Sequence, residues 1–411
     1  MGVATQAAER KGGRAGSPFE VLAVFTRLGL TSFGGPIAHL GYFRDELVVR
    51  RRWLDETAYA DLVALCQFLP GPASSQVGFT LGLMRGGWLG GIAAWIGFTL
   101  PSALALVLFA YGAGALAGPT CVALLHGLKL VAVAIVAQAV WGMARSLCPD
   151  RERAGIAVAA VLLITFAAGA AGQIMAILLG GLAGVWLCRG TPAAAVGHLP
   201  PIPVSRGVGV LLLAAFGVLL VLPPLLLTGP ISSKALALFD AFYRSGALVF
   251  GGGHVVLPLL REAVVAPGWV SADAFLAGYG AAQAVPGPLF TFAAYLGMVR
   301  GPAPNGFVGA TVALIAIFLP GVLLVVGALP FWDVFRRRAL AQAAMRGTNA
   351  AVVGVLGAAL YDPVWTSAVL RPGDFALAVT GFVLLTAWRT PQLIVVAILA
   401  LGGVALAQLS S

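Results

Sequence analysis

Six short signatures occur twice along this chain in the same order, once between residues 25 and 146 and again between 242 and 365. The first copy reads FTRLGLTSFGG (Phe25 to Gly35), FRDE (Phe43 to Glu46), Trp53, QFLPGP (Gln67 to Pro72), GLMRG (Gly82 to Gly86) and LP (Leu100, Pro101). The second answers with FYRSGALVFGG (Phe242 to Gly252), LRE (Leu260 to Glu262), Trp269, QAVPGP (Gln283 to Pro288), GMVRG (Gly297 to Gly301) and LP (Leu319, Pro320). Chance does not order six signatures twice, so the chain must fold as two copies of one unit.

Composition decides the solvent in which the two copies fold. Of 411 residues, 60% are hydrophobic and only 10% are charged, whereas a water-soluble domain carries roughly 25% charged residues. Apolar stretches of about 20 residues recur from end to end, each long enough to cross ~30 Å of hydrocarbon. The formal charge of +10, from 25 Lys and Arg against 15 Asp and Glu, does not point to nucleic acid. The arginines fall mainly in short loops between apolar segments, the pattern of cytoplasmic loops in membrane proteins. Cys66, Cys121, Cys148 and Cys188 form neither a CxxC pair nor a metal-ligand spacing and read as reduced packing residues. His39, His126, His198 and His254 do not align between the copies, and nothing reads as a P-loop or catalytic triad. Neither a metal, another cofactor nor catalysis is therefore expected. Residues 1–18 are polar and Gly-rich, and are expected to form a disordered cytoplasmic tail.

Each copy also contains apolar segments that cannot run as ordinary helices. Residues 19–49 are interrupted by Gly34, Gly35 and Pro36, and residues 58–83 by Pro70, Gly71 and Pro72. Proline removes a backbone donor and clashes with the preceding turn, so the helices break there. Fragments of about 12 to 15 residues, at 1.5 Å each, reach only ~18 to 22 Å. They suit half-membrane hairpins whose tips are sheltered by protein or by a water-filled cavity. Hairpins also keep Arg44, Arg50, Arg51, Arg52 and Arg85 on the cytoplasmic side. Helices near 87–111 and 122–144 then cross out and back. Three more, near 154–171, 172–188 and 207–228, deliver the second copy to the membrane from the opposite face. The loop charges swap accordingly. The second copy keeps only Arg261 where the first has its arginine run, and gains Arg336, Arg337 and Arg338 where residues 112–121 carry no charge. The expected fold is an all-α polytopic membrane protein of two homologous halves, an inverted-topology repeat with broken, re-entrant helices.

FGGP at Phe33 to Pro36, followed by PGP at Pro70 to Pro72 and its echo at Pro286 to Pro288, resembles the duplicated domain of the chromate transporter family. The resemblance spans roughly residues 19 to 390. It implies repeats at 19–190 and 236–411, joined by a linker with one connecting transmembrane helix at 191–235. It further implies a multi-pass protein of the bacterial inner membrane that expels chromate from the cytoplasm at the expense of the proton-motive force. The N-terminus is then cytoplasmic and the C-terminus periplasmic. Sulfate has the same charge and nearly the same shape as chromate, so the two are not distinguished. The partners are accordingly the oxyanion, protons and the lipid bilayer, and a homodimer is compatible with them. A passive oxyanion channel on the same scaffold is the alternative.

Inverted repeats with broken helices place substrate near the midplane, where half-helix N-termini and freed amides face an anion. The candidates are Gly34, Gly35 and Gly71 in one half, with Gly251, Gly252, Gly253 and Gly287 in the other. A half-helix starting after Pro72 offers Ser74, Ser75 and Gln76 at its positive end. The same glycines also suit simple close packing of helices. Arg27 and Arg244 occupy equivalent positions and can neutralise an anion through guanidinium forks, or snorkel to the interface. Lys129, with Asn349 as its repeat partner, is a lone lysine in an apolar helix and a candidate for substrate or proton coupling. Asp61 is a second proton-coupling candidate, or else pairs with Arg85 or another arginine. Gln67 and Gln283 recur just before each PGP and can donate to an oxyanion or cap exposed backbone. The run from Arg44 to Glu56 reads as a solvated interfacial face anchored by Trp53.

Overall fold

The computed structural model describes residues 16–33, 35–115, 119–167, 170–189, 204–228, 233–249, 255–335 and 338–409, and they contain helices and no strand. The first half opens with α1 (Pro18–Thr31) and α2 (Gly35–Phe43), which runs on as a π-helical turn over Arg44–Arg50. Then come α3 (Glu56–Phe68) and the long α4 (Ala73–Ala115), kinked where Gly87 takes φ 64°. α5 (Pro119–Leu147), α6 (Arg151–Phe166) and α7 (Ala170–Leu187) complete it. α8 (Arg206–Leu227) has no counterpart in the other half. The second half repeats the order. α9 (Lys234–Ala247) and α10 (Val256–Val264) answer α1 and α2, and α11 (Ala272–Ala284) answers α3. α12 (Phe292–Val299) and α13 (Gly306–Ala328) stand for the two limbs of α4. After the short α14 (Trp332–Phe335), α15 (Ala339–Ala359) answers α5. The one-turn α16 (Thr366–Ala368) leads to α17 (Pro372–Thr386) and α18 (Gln392–Leu409), the equivalents of α6 and α7.

Local chemistry sets these boundaries. Ser17 caps α1, with Pro18 at a first-turn position where the missing N–H costs nothing. Asp55 caps α3 through the Ala58 N–H, and Ser271 caps α11 through the Ala274 N–H, so both hairpin helices start at the same repeat position. Of the breaks predicted at Gly34 to Pro36 and at Pro70 to Pro72, the first ends where Gly35 and Pro36 open α2 and the second falls between α3 and α4. The fragments are half-helices of 14, 9 and 13 residues.

Each half lays its first helix on its own long helix: Gly29 of α1 meets the Gly97 and Phe98 backbone of α4, and Gly246 of α9 meets Ile317 of α13. The terminal helix pairs are exchanged. α6 and α7 pack on α15 of the other half, and α17 and α18 pack on α5. Gly180 and Gly184 of α7 abut Gly347, while Gly127 of α5 abuts Leu399, Ala400 and Gly403 of α18. A Cβ at Gly347 or Gly127 would stand under 3.0 Å from opposing backbone, so for this pair of glycines close packing is the role. Between the hairpins of the first half and those of the second run the outer limb of α4 and α5 to α8, an odd number of helices. An odd number is what an inverted repeat requires.

Candidate functional site

The hairpin tips of the two halves meet, and they meet reciprocally. The Gly71 N–H donates to the Val249 carbonyl at 2.7 Å, and the Gly287 N–H donates to the Ser32 carbonyl at 2.9 Å. Ser32 and Val249 sit just before the two FGG motifs, so each PGP is clasped to the FGG segment of the opposite half. Both glycines hold left-handed backbone, φ 122° at Gly71 and 105° at Gly287, which a side chain resists. Gly71 packs against Gly321 and Gly287 against Ser102, each the residue after the LP signature of the other half. Gln76 locks one side further, its Nε2 donating to the carbonyls of Pro70 (3.0 Å) and Gly321 (3.1 Å). The amides of Gly71 and Gly287 are thus already used. They bind the halves together and do not face an anion.

What remains for a ligand lies at the start of α4. The N–H groups of its first turn have no intrahelical acceptor and stand at the positive end of the helix. Ser74, Ser75 and Gln76 are all buried there. The second half carries Phe290, Thr291 and Phe292 at the equivalent positions, so the polar helix start is built once. Against it stands His39 of α2, 1% exposed, with Nδ1 3.4 Å from Ser74 Oγ and its ring edge-on to Phe98 at 5.2 Å. Ser32 Oγ, His39 Nε2, Ser75 Oγ, Gln76 Oε1 and Thr99 Oγ1 are buried polar atoms without a partner among the described residues. Buried polar atoms are ordinarily bonded, so each of these can take a polar guest, His39 and Ser74 from adjoining positions.

The other predicted residues are distributed differently. Gly35 opens α2 at φ 79°. Gly34, Gly251, Gly252 and Gly253 lie outside the described residues, as do Arg336 and Arg337. The two glutamines are not equivalent in the fold. Gln67 is exposed, whereas Gln283 is buried and accepts from Gln392 Nε2 at 3.0 Å. Arg27 is exposed on α1, and Arg244 reaches Asp240 at 3.8 Å, so neither guanidinium sits among the tips. Lys129 is not a lone lysine: it forms an ion pair with Asp273, in the first turn of α11. That turn is about 18 Å along the helix from the PGP break. Asn349 stands on α15, its Oδ1 buried without a partner. Asp61 is buried and accepts from the Trp332 indole N–H at 3.3 Å, a contact between halves. Arg85 bonds Glu20 at 3.2 Å and covers the Trp53 ring at 5.4 Å.

That last contact explains a repeated signature to which sequence alone assigned no partner. Arg300 covers Trp269 at 4.1 Å, the same arginine and tryptophan in the second half. The RG and Trp signatures are one cation–π staple per half, so Trp53 is a packing partner as much as an interfacial anchor. His39, Thr99, Ser102, Gly321 and Trp332 are the residues sequence reasoning missed. Ser102 and Gly321 could have been found, since each directly follows a repeated LP. His39 and Trp332 have no repeat counterpart to betray them.

A family model described as chromate transporter matches residues 19–185 and 236–406. The chain is 30% identical over 393 residues to the chromate transport protein of Pseudomonas aeruginosa, covering 93% of this chain and 90% of that one. It is 28% identical over 352 residues to the probable chromate transport protein of Synechococcus elongatus, covering 82% of each. It is also 36% identical over 124 residues to the uncharacterized transporter YwrB of Bacillus subtilis, covering 30% of this chain and 61% of that one. No solved structure matches the chain.

Proposed function

The chain belongs to the chromate transporter family, and from that membership we propose that it is a secondary active transporter. It exports chromate, or a tetrahedral oxyanion of the same form such as sulfate, across the bacterial inner membrane, coupled to the proton-motive force. The N-terminus is cytoplasmic and the C-terminus periplasmic. The oxyanion binds at the start of α4, held by first-turn amides and by the hydroxyls of Ser74 and Ser75, with His39 and Ser32 completing the shell.

One observation carries the mechanism: equivalent seats in the two halves are filled on one side only. α11 packs along α5, with Gly280 against the Leu128 backbone. α3, its equivalent, has no comparable seat on α15 among the described residues. Leu276, Tyr279 and Gln283 on the packed face of α11 are buried, whereas their repeat partners on α3 are Ala60 (exposed), Val63 (half-buried) and Gln67 (exposed). The polar anchors tell the same story. Lys129 and Gln392 hold α11 through Asp273 and Gln283. Their equivalents on the α3 side, Asn349 and Gln173, each have a buried side-chain oxygen without a partner. Exchanging the two arrangements, so that α3 docks and α11 leaves, gives the opposite-facing state of an alternating-access cycle.

The test is transport by the purified full-length protein in vesicles with an imposed pH gradient. Accumulation of chromate against its own gradient is the expected result. Flux that only ever runs downhill would make the protein the passive channel instead.

A further inference from the structure

A dianion buried between the hairpin tips needs compensating charge, and among the described residues no fixed cation stands there. Lys129 is held by Asp273 at the far end of α11, Arg244 is turned to Asp240, Arg27 is exposed, and Arg85 and Arg300 cover tryptophans. Asp61 is a carboxylic acid and cannot supply a positive charge. Among the described residues of the tips one group can: His39.

Its setting is unusual for a packing histidine. The imidazole is 1% exposed on α2, wedged between Phe98 of the outer limb of α4 and Ser74 of that helix's first turn. The Ser32 backbone of the first tip lies beside it. Nδ1 is turned to Ser74 Oγ, and Nε2 has no partner among the described residues. Ser32, Ser74 and Phe98 do not titrate. No carboxylate or cation of α1, α2, α3, α4 or the second half bears on the ring among the described residues. With no resident counter-charge beside the ring among the described residues, an entering oxyanion is the first charge that the ring meets.

We propose that His39 is the proton-binding residue of the oxyanion site, taking up one proton as the anion enters. This rests on the reading that the tips and the start of α4 bind the oxyanion. The proton comes from water. It leaves the ring with two N–H groups, one toward Ser74 and the Ser32 backbone, the other on Nε2 donating to an oxyanion oxygen. No covalent bond forms or breaks. Binding of the anion and binding of the proton then strengthen each other by the same factor, as linkage requires. Each transported dianion carries one proton with it, and the complex that crosses bears a single negative charge. Export is then coupled to the proton-motive force through its electrical component: an inside-negative membrane potential drives that complex outward, while the co-exported proton runs against the pH component.

The experiment is calorimetric titration of chromate into the purified full-length protein, in two buffers of different ionisation heat, for wild type, His39→Gln, His39→Asn and Gly71→Val. Wild type is expected to take up about one more proton per bound chromate than His39→Gln, which removes chromate's own protonation from the count. Its apparent Kd should also rise by up to about tenfold per pH unit where the free ring is neutral and the bound ring charged, a slope absent from the glutamine variant. Equal proton uptake in wild type and either His39 variant overturns the proposal. If neither variant binds, wild-type uptake no greater than chromate's own protonation in buffer overturns it as well. Failure of the site reading looks different: chromate then binds Gly71→Val as it binds wild type, whatever the proton count.

Discussion

Gly71 and Gly287 set how closely the two halves approach, and each is replaceable only at a cost that can be named. A Cβ at Gly71 would lie 2.9 Å from Gln76 Nε2 and 3.0 Å from the Gly321 Cα, in backbone at φ 122°. Gly71→Val is therefore expected to abolish chromate uptake into inverted vesicles at matched protein abundance, and Gly287→Val to do the same through Ser102 and Phe98. Gln76→Leu leaves the carbonyls of Pro70 and Gly321 buried without their donor, at about 1 to 3 kcal/mol for each. Thermal unfolding in detergent should show this loss of stability. At the membrane surface, Asp150 caps α6 and bonds Arg153, and that hydrogen bond holds its carboxyl below the ordinary aspartate range. A lowered carboxylate contributes stability above its unfolded pKa and loses it as pH falls through its folded pKa. Asp150→Ala should cost about 1 kcal/mol near neutral pH, and the difference from wild type should shrink below about pH 4.

At the scale of elements, the contrast between α3 and α11 makes the next prediction. In a background without the native cysteines, Lys129→Cys with Asp273→Cys should cross-link in the state described here. Thr57→Cys with Asn349→Cys, the repeat equivalents, should cross-link only in the opposite state, and saturating chromate should change the ratio of the two. A ratio indifferent to chromate would remove the exchange of seats. The ion pair is half exposed, so it is worth up to about 1 kcal/mol. Lys129→Ala should thus change the rate of Thr57→Cys to Asn349→Cys cross-linking by no more than about fivefold, and not weaken anion binding at a distance. Much of this architecture was legible in sequence because broken helices leave local marks: Gly34 to Pro36 and Pro70 to Pro72 interrupt apolar runs wherever the chain packs. The α-helical spans followed from length and hydropathy for the same reason. The site was legible only in part. Ser74, Ser75 and Gln76 follow a proline that starts a helix, which is a local signal. The partners of Lys129, Asp61 and the PGP amides lie 144 or more residues away, and no local pattern encodes which distant group a side chain will meet.

For the whole molecule, the exchanged helix pairs mean that neither half buries its own faces. Without α17 and α18, α5 loses its cover at Gly127; without α7, α15 loses it at Gly347. Two chains divided between residues 196 and 197 should therefore accumulate and transport chromate only when made together, and each alone should be degraded. Immunoblots of the two chains, alone and together, decide the matter; a half stable by itself would show that the exchange is dispensable. YwrB, matched here over 124 residues that make up 61% of its length, is a chain about half this long. The exchange also constrains ancestry. Before the halves were joined, the same contacts required two copies of one polypeptide lying antiparallel in the membrane, each lending its last two helices to the other. A gene for such a chain had to insert its product in both orientations. Duplication and fusion through α8 would release each copy from that indecision, and arginines confined to different loops in the two halves are what a copy settled on one side requires.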